Sequence, residues 1–580
     1  MGCENKCKNI YAISDFDEPF YAAYLQSLID GKPRRNSPFS GTVDSSETPQ
    51  KESYLSIQFL ATYPLVFLAQ TFNLSISQLM ILCSLIVSFL SGLIIYWLFY
   101  LFTKDDISSL VATLFILFLG NLVGGQGATS TLFSSDGVHY FNSLIFLRRY
   151  VPAISFPALF LFIIFVWKLF TTDSNSTKHK SAILAFCSFT FCVYTYFYIW
   201  TTAFAWFFSF VFLYSIFNYE KLKENSKLLL GLGLSFVGIL IPYFILVFNR
   251  QQHIDSALFI NFTREPDFWR LPETISYIST ASIFIFAKFR MVELKDPKII
   301  FLLSLNLVTV VVFNQQIITG RSLQPFHYQF FSVNYLVTFS VFFLIYTLLK
   351  QLLTVDRLRL VITLLVSLPI CVGIFDTVVG STSFTSLNLT RDNLIPLSDR
   401  IKEIVKTPEF KTQNQNSVVL TFDFAKPSYF YGSEIPALSS QPILWSLHLN
   451  LMTDISPQED KNRLKQFLYY QNVDGNQLRN NLNQKNTLIS LGFFGGERIS
   501  DIYTGKVNQI TSEEIDKVID DYQSFTQNFS YQNAQKPLLS FVLANRKVEN
   551  DFTNLDRWYQ RNEGEEFGEF ILYQVKLRQP

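Results

Sequence analysis

LMILCSLIVSFLSGLIIYWLFYLF, residues 79–102, is a run of 24 residues without a charge. As a helix it extends about 36 Å at roughly 1.5 Å per residue, more than the ~30 Å hydrocarbon thickness of a bilayer. It therefore reads as a transmembrane helix. Further apolar runs lie near 107–123, 152–170, 182–199, 200–217, 228–248, 273–288, 298–314, 329–349 and 359–380. That makes about ten spans and predicts a polytopic α-helical membrane protein. Composition agrees: 49% of the 580 residues are hydrophobic, 61 are Phe, only 16% are charged and the mean hydropathy is +0.24. Soluble domains carry roughly 25% charged residues. The net charge of +1 supplies no basic face, so no nucleic-acid partner is expected.

The connecting loops alternate in basic content. Lys104, Lys178, Lys180, Lys221, Lys223, Lys227, Lys288, Arg290, Lys295, Lys298, Lys350, Arg357 and Arg359 fall on one side, which the positive-inside rule makes cytoplasmic. The opposite loops, 124–151, 249–272 and 315–328, are longer or richer in turn residues and read as site-forming segments. Parity then places residues 1–56 and the C-terminus outside. An external N-terminal segment with no span ahead of it implies either a first helix upstream of Met1, the favoured reading, or transfer of the segment across the membrane with the next helices. Residues 55–73, YLSIQFLATYPLVFLAQTF, are apolar but interrupted by Pro64, and counting them as a span would invert every later loop. They read as a helix lying along the outer face or re-entering it. The expected organisation is an external loop over 1–78, a transmembrane helical domain over 79–380 and an external soluble α/β domain over 390–580.

After Gly380 the composition turns to Asn, Gln, Asp, Lys and Ser. The runs SVVLTF (417–422), LLSFVLA (538–544) and FILYQVKL (570–577) are β-branched and aromatic enough for strands. Residues 457–472 and 512–527 have helical periodicity. GFFGGE at 492–497 does not match a phosphate-binding loop and reads as a turn. Of the six cysteines, four lie in apolar runs, and only Cys3 and Cys7 share a polar segment in which a disulfide is open. No Cys/His cluster has zinc-ligand spacing, so no metal site is assigned.

The segment SDFDEPFYAAYLQSLIDGK, residues 14–32, sets Asp15, Asp17 and Glu18 just ahead of Pro19, Tyr21, Tyr24 and Leu25. Carboxylates favour a helix N-terminus and Pro suits its first turn; a carboxylate there can also do chemistry. Asp17-Glu18, Tyr21 three residues on and Gly31 at the end of a short helix resemble the first external loop of the GT-C superfamily of membrane glycosyltransferases. The resemblance is to the branch of protein O-mannosyltransferases and the lipid A aminoarabinose transferase. A Pro-containing helix before the span at 79, the many spans and the external C-terminal domain are similar in layout, although the Lys-Pro-Pro sequence common in that branch is absent.

The resemblance implies transfer of a sugar from a polyprenyl-phosphate-linked donor to a glycan, lipid or protein acceptor at the outer face of the bacterial plasma (inner) membrane. Asp17 is the expected base for the acceptor hydroxyl, with Glu18 or Asp15 as helper. A divalent cation held by such carboxylates occurs in some relatives. Arg148 and Arg149, at the external end of a span, and Arg321, in another external loop, are the expected donor-phosphate ligands, with Asp136, His139 and His327 as further candidates and Arg250, Arg264 and Arg270 ranked below. The plain alternative for each arginine is interfacial anchoring. The competing function is a non-catalytic transporter or polysaccharide export or assembly component; transporters usually show ionisable groups within spans or related halves, and no convincing repeat is visible.

Overall fold

The computed structural model describes residues 10–13, 17–132, 144–148, 150–250, 264–413, 417–424, 431–451, 455–484, 488–495, 498 and 510–579. Cys3, Cys7, Asp15, Asp136, His139 and Arg149 lie outside them.

Among the described residues, seven helices are long and apolar enough to cross a membrane: Ile76–Thr103, Asp106–Val123, Ala153–Thr171, Phe197–Phe217, Ser226–Phe248, Pro325–Leu352 and Val355–Ser383. The remaining predicted intervals are helical too, as Asn175–Val193, Leu271–Lys288 and Pro297–Phe313. The chain is a polytopic α-helical membrane protein carrying a small C-terminal sheet. Burial separates a central helix from peripheral ones. The apolar window of Ala153–Thr171 is 78% buried, whereas that of Ser226–Phe248 is 22% buried, with Leu230, Leu234, Ile241 and Ile245 turned outward.

Lipid tails are as apolar as Leu, so helices in a bilayer associate by close packing rather than by hydrophobic transfer. Phenylalanine supplies much of that packing. Phe102 lies 4.5 Å from the Trp167 ring and 4.8 Å from Phe301, and Phe99 contacts Phe339, Phe342 and Phe343 at 5.4–5.5 Å. Gly120 lets helix Asp106–Val123 approach Tyr335, since a Cβ there would stand 2.5 Å from the tyrosine ring.

One predicted span is corrected. The interval 182–199 is broken at Tyr194–Tyr196, where Tyr196 is extended (φ −159°, ψ 125°) and starts helix Phe197–Phe217. Residues 55–73 form a short helix, Tyr54–Ile57, and then Phe59–Phe72. The second extends only about 21 Å, and it buries Ala61, Leu65 and Val66 while exposing Tyr63, Phe67 and Phe72.

The C-terminal sheet has β1 (Val418–Phe422), β2 (Leu539–Asn545), β3 (Tyr559–Arg561), β4 (Glu565–Phe567) and β5 (Phe570–Leu577). Their order is β1-β2-β5-β3, with β4 also paired to β5. β1 and β2 are parallel, and the other pairs antiparallel. The chain between β1 and β2 includes helices Pro457–Tyr470 and Ser512–Gln527, the crossover a parallel pair requires. GFFGGE differs from a simple turn: residues 492–494 finish helix Leu488–Phe494, because Gly492 is buried tightly under Leu464 and Trp445. The turn itself falls at Gly495 (φ +79°).

Candidate functional site

Helix α1 (Glu18–Ile29) begins at the acidic motif, with Asp17 in the N-cap position and Pro19 in the first turn. The backbone carbonyl of Asp17 accepts from the Phe20 and Tyr21 amides at 3.1 and 3.3 Å. Its carboxylate makes no capping hydrogen bond. Instead Oδ2 accepts from Nη2 of Arg148 at 3.0 Å, a residue 131 positions away. The side chain of Asp17 is 52% exposed and that of Arg148 only 4%, so the pair is a reachable carboxylate on a buried guanidinium. Glu18 is fully buried. Asp17 faces a guanidinium and Glu18 is enclosed. Among the described residues no group of three or more His, Cys, Asp or Glu stands close enough to hold a metal.

Arg148 is fixed from behind by an aromatic wall. Its guanidinium lies 4.9 Å from the Phe331 ring centroid, a cation–π contact. Phe331 belongs to a π-helical turn, Gln329–Val333, inserted between Pro325–Tyr328 and Asn334–Leu352; such turns are frequent at functional sites. Phe331 touches His327 (5.2 Å), His327 touches Tyr198 (4.5 Å) and Tyr198 touches Tyr328 (5.0 Å). The His327 Nδ1 is 3.4 Å from the Tyr196 hydroxyl, so this histidine sits inside the aromatic nest. On the other flank the Tyr150 hydroxyl donates to the Tyr21 carbonyl at 3.1 Å.

Tyr328 leads directly to a cavity of about 790 Å³ among helices Phe197–Phe217, Ser226–Phe248 and Pro297–Phe313. Its wall is apolar, with Trp200, Phe204, Phe208, Leu240, Phe244 and Val312, but it also carries two arginines, Arg250 and Arg321. Arg250 lies over the Tyr54 ring at 5.2 Å. Arg321 is exposed, and among the described residues its guanidinium makes no hydrogen bond or ion pair. Arg264 and Arg270 differ, because both pair with Asp267 at 3.1 and 2.5 Å and Arg264 is largely buried. Thus Asp17 and Arg148 come together, and Arg321 joins Arg250 on a neighbouring cavity. Arg250, ranked below Arg321 from the sequence, lines the same cavity.

The segment ahead of Asp17 is strapped to the chain beyond the last span. Arg391 Nη1 donates to the Tyr11 carbonyl at 2.9 Å, Asn388 Oδ1 accepts from the Ile13 amide at 2.9 Å and Asp392 Oδ1 from the Ile10 amide at 3.2 Å. Arg391 is itself held by Glu434 (Nε to Oε1, 2.6 Å), both side chains having 0% exposure, and stacks over Tyr11 at 4.8 Å. Sequence reasoning missed this cluster altogether.

No protein-family model matches the chain, and no curated protein matches it. Among solved structures it is similar to the archaeal oligosaccharyltransferase AglB from Archaeoglobus fulgidus in complex with an inhibitory peptide and a dolichol-phosphate. That match has a TM-score of 0.43 and 12% identity, over 97% of this chain and 70% of the other. The apo form of the Archaeoglobus fulgidus oligosaccharyltransferase gives 0.42 and 11%, over 96% and 71%.

Proposed function

We propose that the chain is a membrane glycosyltransferase that moves a sugar from a polyprenyl-phosphate-linked donor to an acceptor hydroxyl at the outer membrane face. The observation that carries this reading is a half-exposed carboxylate, Asp17 on Arg148, linked through a run of aromatic side chains to an apolar cavity bearing Arg250 and Arg321. Three aromatic contacts separate Phe331, under Arg148, from Tyr328 on the cavity wall.

An isoprenoid chain requires an apolar slot open to lipid, and its phosphate requires cations at the slot's polar end. The cavity has an apolar wall and carries two arginines. Helix Ser226–Phe248, largely unburied, forms one wall. In the reaction the acceptor oxygen attacks the sugar's anomeric carbon, the carbon–oxygen bond to phosphate breaks with its electron pair going to the phosphate, and Asp17 takes the hydroxyl proton. Arg148 orients the carboxylate. Arg250 and Arg321 stabilise the charge that grows on the departing phosphate. The domain division, with the loop 1–78 and residues 390–580 both external, is part of this proposal.

The test is Asp17→Asn, which keeps the size of the side chain but cannot accept a proton. Transfer in purified protein or in membranes should fall roughly 10²- to 10⁴-fold with insertion and expression unchanged. If surface glycans and polyprenyl-phosphate sugars are the same in a gene deletion as in the parent, the transfer reading is lost and the transport or assembly role takes its place.

A further inference from the structure

A second cavity, about 850 Å³, lies at the far end of α1 from Asp17, between residues 27–48 and the C-terminal segments 405–411, 417–418 and 436–442. Asp17 and Asp30 are 13 residues apart along α1, about 20 Å, so this groove is remote from the proposed reacting atoms. We propose that it binds an anionic oligosaccharide. The proposal does not rest on the transfer reaction.

Charge is the first argument. Lys32 and Lys411 line the groove and are exposed, and neither makes an ion pair among the described residues. Asp30, the carboxylate on the same rim, is already engaged by Gln26 Nε2 (2.8 Å) and Ser440 Oγ (2.5 Å). The groove therefore presents two unpaired cations against one carboxylate, whose oxygens already accept from neutral donors.

Unsatisfied polar groups are the second. Ser417, 3% exposed, lines the groove with a buried Oγ that has no hydrogen-bond partner. Arg463 uses Nε and Nη2 on Glu459, while its Nη1 is buried without a partner. Buried polar atoms normally are satisfied, and a donor and a hydroxyl left over in one groove suit a hydroxylated, negatively charged ligand. Pro38, Pro442 and Pro537 supply flat apolar faces between them, against which the C–H faces of sugar rings can pack.

The sheet argues against a peptide. Peptides commonly bind by adding a strand to an open edge, and β1 is an edge strand of this sheet. Its outer side is already taken: the Val419 amide donates to the Pro442 carbonyl at 2.9 Å and the Leu444 amide to the Val419 carbonyl at 2.8 Å. The wall itself is braced by the Ile443 amide on the Phe39 carbonyl at 2.9 Å and by Gly41 (φ +83°), where a Cβ would come 3.0 Å from Pro442.

The test is calorimetric titration of the purified full chain in detergent with trigalacturonate, a heparin-derived tetrasaccharide, neutral maltotriose and hexaglutamate. At least one of the two anionic sugars should bind at least tenfold more tightly than maltotriose and than hexaglutamate. Lys32→Ala combined with Lys411→Ala, both at exposed positions and with the thermal midpoint checked to be unchanged, should weaken that binding at least tenfold and flatten its salt dependence. Failure of both anionic sugars to bind, equal binding by the double variant, or preference for hexaglutamate would each overturn the proposal.

Discussion

Replacing Arg391 by Met should release the segment that precedes Asp17. Arg391 and Glu434 form an ion pair at zero exposure for both partners, and removing one member of such a pair leaves an uncompensated buried charge at a cost of about 3–5 kcal/mol. The same substitution deletes the hydrogen bonds to the Tyr11 carbonyl and to Asn388 Oδ1. Since about 1.4 kcal/mol is a factor of ten, the Ile10 and Ile13 amides should exchange with deuterium roughly 10²- to 4 × 10³-fold faster. Peptide-level hydrogen exchange on the detergent-purified protein reads this directly. Glu434→Leu alone should behave alike, leaving the arginine unpaired, whereas Arg391→Met with Glu434→Leu should restore much of the protection, because two apolar side chains can replace a buried pair at little cost. If the double variant is as damaged as the sum of the single ones, the pair is not coupled and the strap owes its order to other contacts.

Four further outcomes are expected. Arg250→Ala with Arg321→Ala should lower kcat/KM for a lipid-linked donor, with kcat falling because the charge growing on the departing phosphate loses its cations, checked by steady-state kinetics; unchanged kcat would move the phosphate elsewhere. Gly127→Ala should destabilise the protein by about 1–3 kcal/mol, since its backbone has φ +86° and a Cβ would stand 2.3 Å from Asp376 Oδ2, breaking into the carboxylate that accepts from Thr129 N and Oγ1 at 2.7 Å; thermal midpoints measure it. Asp460, bonded to Trp445 Nε1 at 3.2 Å, is pushed up to about 7 by burial, above the ~4 of an unfolded Asp. The folded state therefore holds the extra proton between those values, so its contribution to stability falls as pH rises from about 4 to about 7 and is level above. Asp460→Asn should gain on the wild type across that window by a few kcal/mol at most, on the order of what the shift implies, and a constant difference would refute the assignment. Cys3 should react with a membrane-impermeant thiol reagent in intact cells after reduction, and labelling only after lysis would reverse the proposed topology.

The parts that were legible in the sequence are those in which local pattern decides. A charge-free run such as 79–102 has no alternative to a membrane helix, and the strands at 417–422, 538–544 and 570–577 lie within one residue of those observed. The break at Tyr194–Tyr196 was invisible because Tyr-Thr-Tyr contains neither Gly nor Pro; the interruption comes from tertiary packing, with Phe59 stacking on Tyr194 at 4.8 Å. Asp17 and Arg148 were each recognisable as charges at element ends, but their pairing across 131 residues is a property of the fold. Arg391 sits in LNLTRDN and Glu434 in YGSEIP, polar stretches that resemble ordinary surface. Complete burial of a charge leaves no local signature.

That burial bears on why the acidic loop is held as it is. A carboxylate at the start of a short helix in an external loop would ordinarily share the loop's mobility, yet a proton acceptor must keep its place to within a fraction of an ångström. Here the chain is fastened before Asp17 by Arg391 and its neighbours, at Asp17 by Arg148, and after α1 by Ser440 on Asp30 and by the Tyr24 hydroxyl on the Arg34 carbonyl at 2.7 Å. Two of these anchors, Arg391 and Ser440, belong to residues beyond the last span, and one, Arg148, to the turn segment ahead of helix Ala153–Thr171. An ion pair with zero exposure is a weak source of net stability but a strict geometric constraint, since it tolerates no misaligned alternative. The C-terminal region is in this way part of the support of the acidic segment, which ties the placement of Asp17 to the packing of both regions at once.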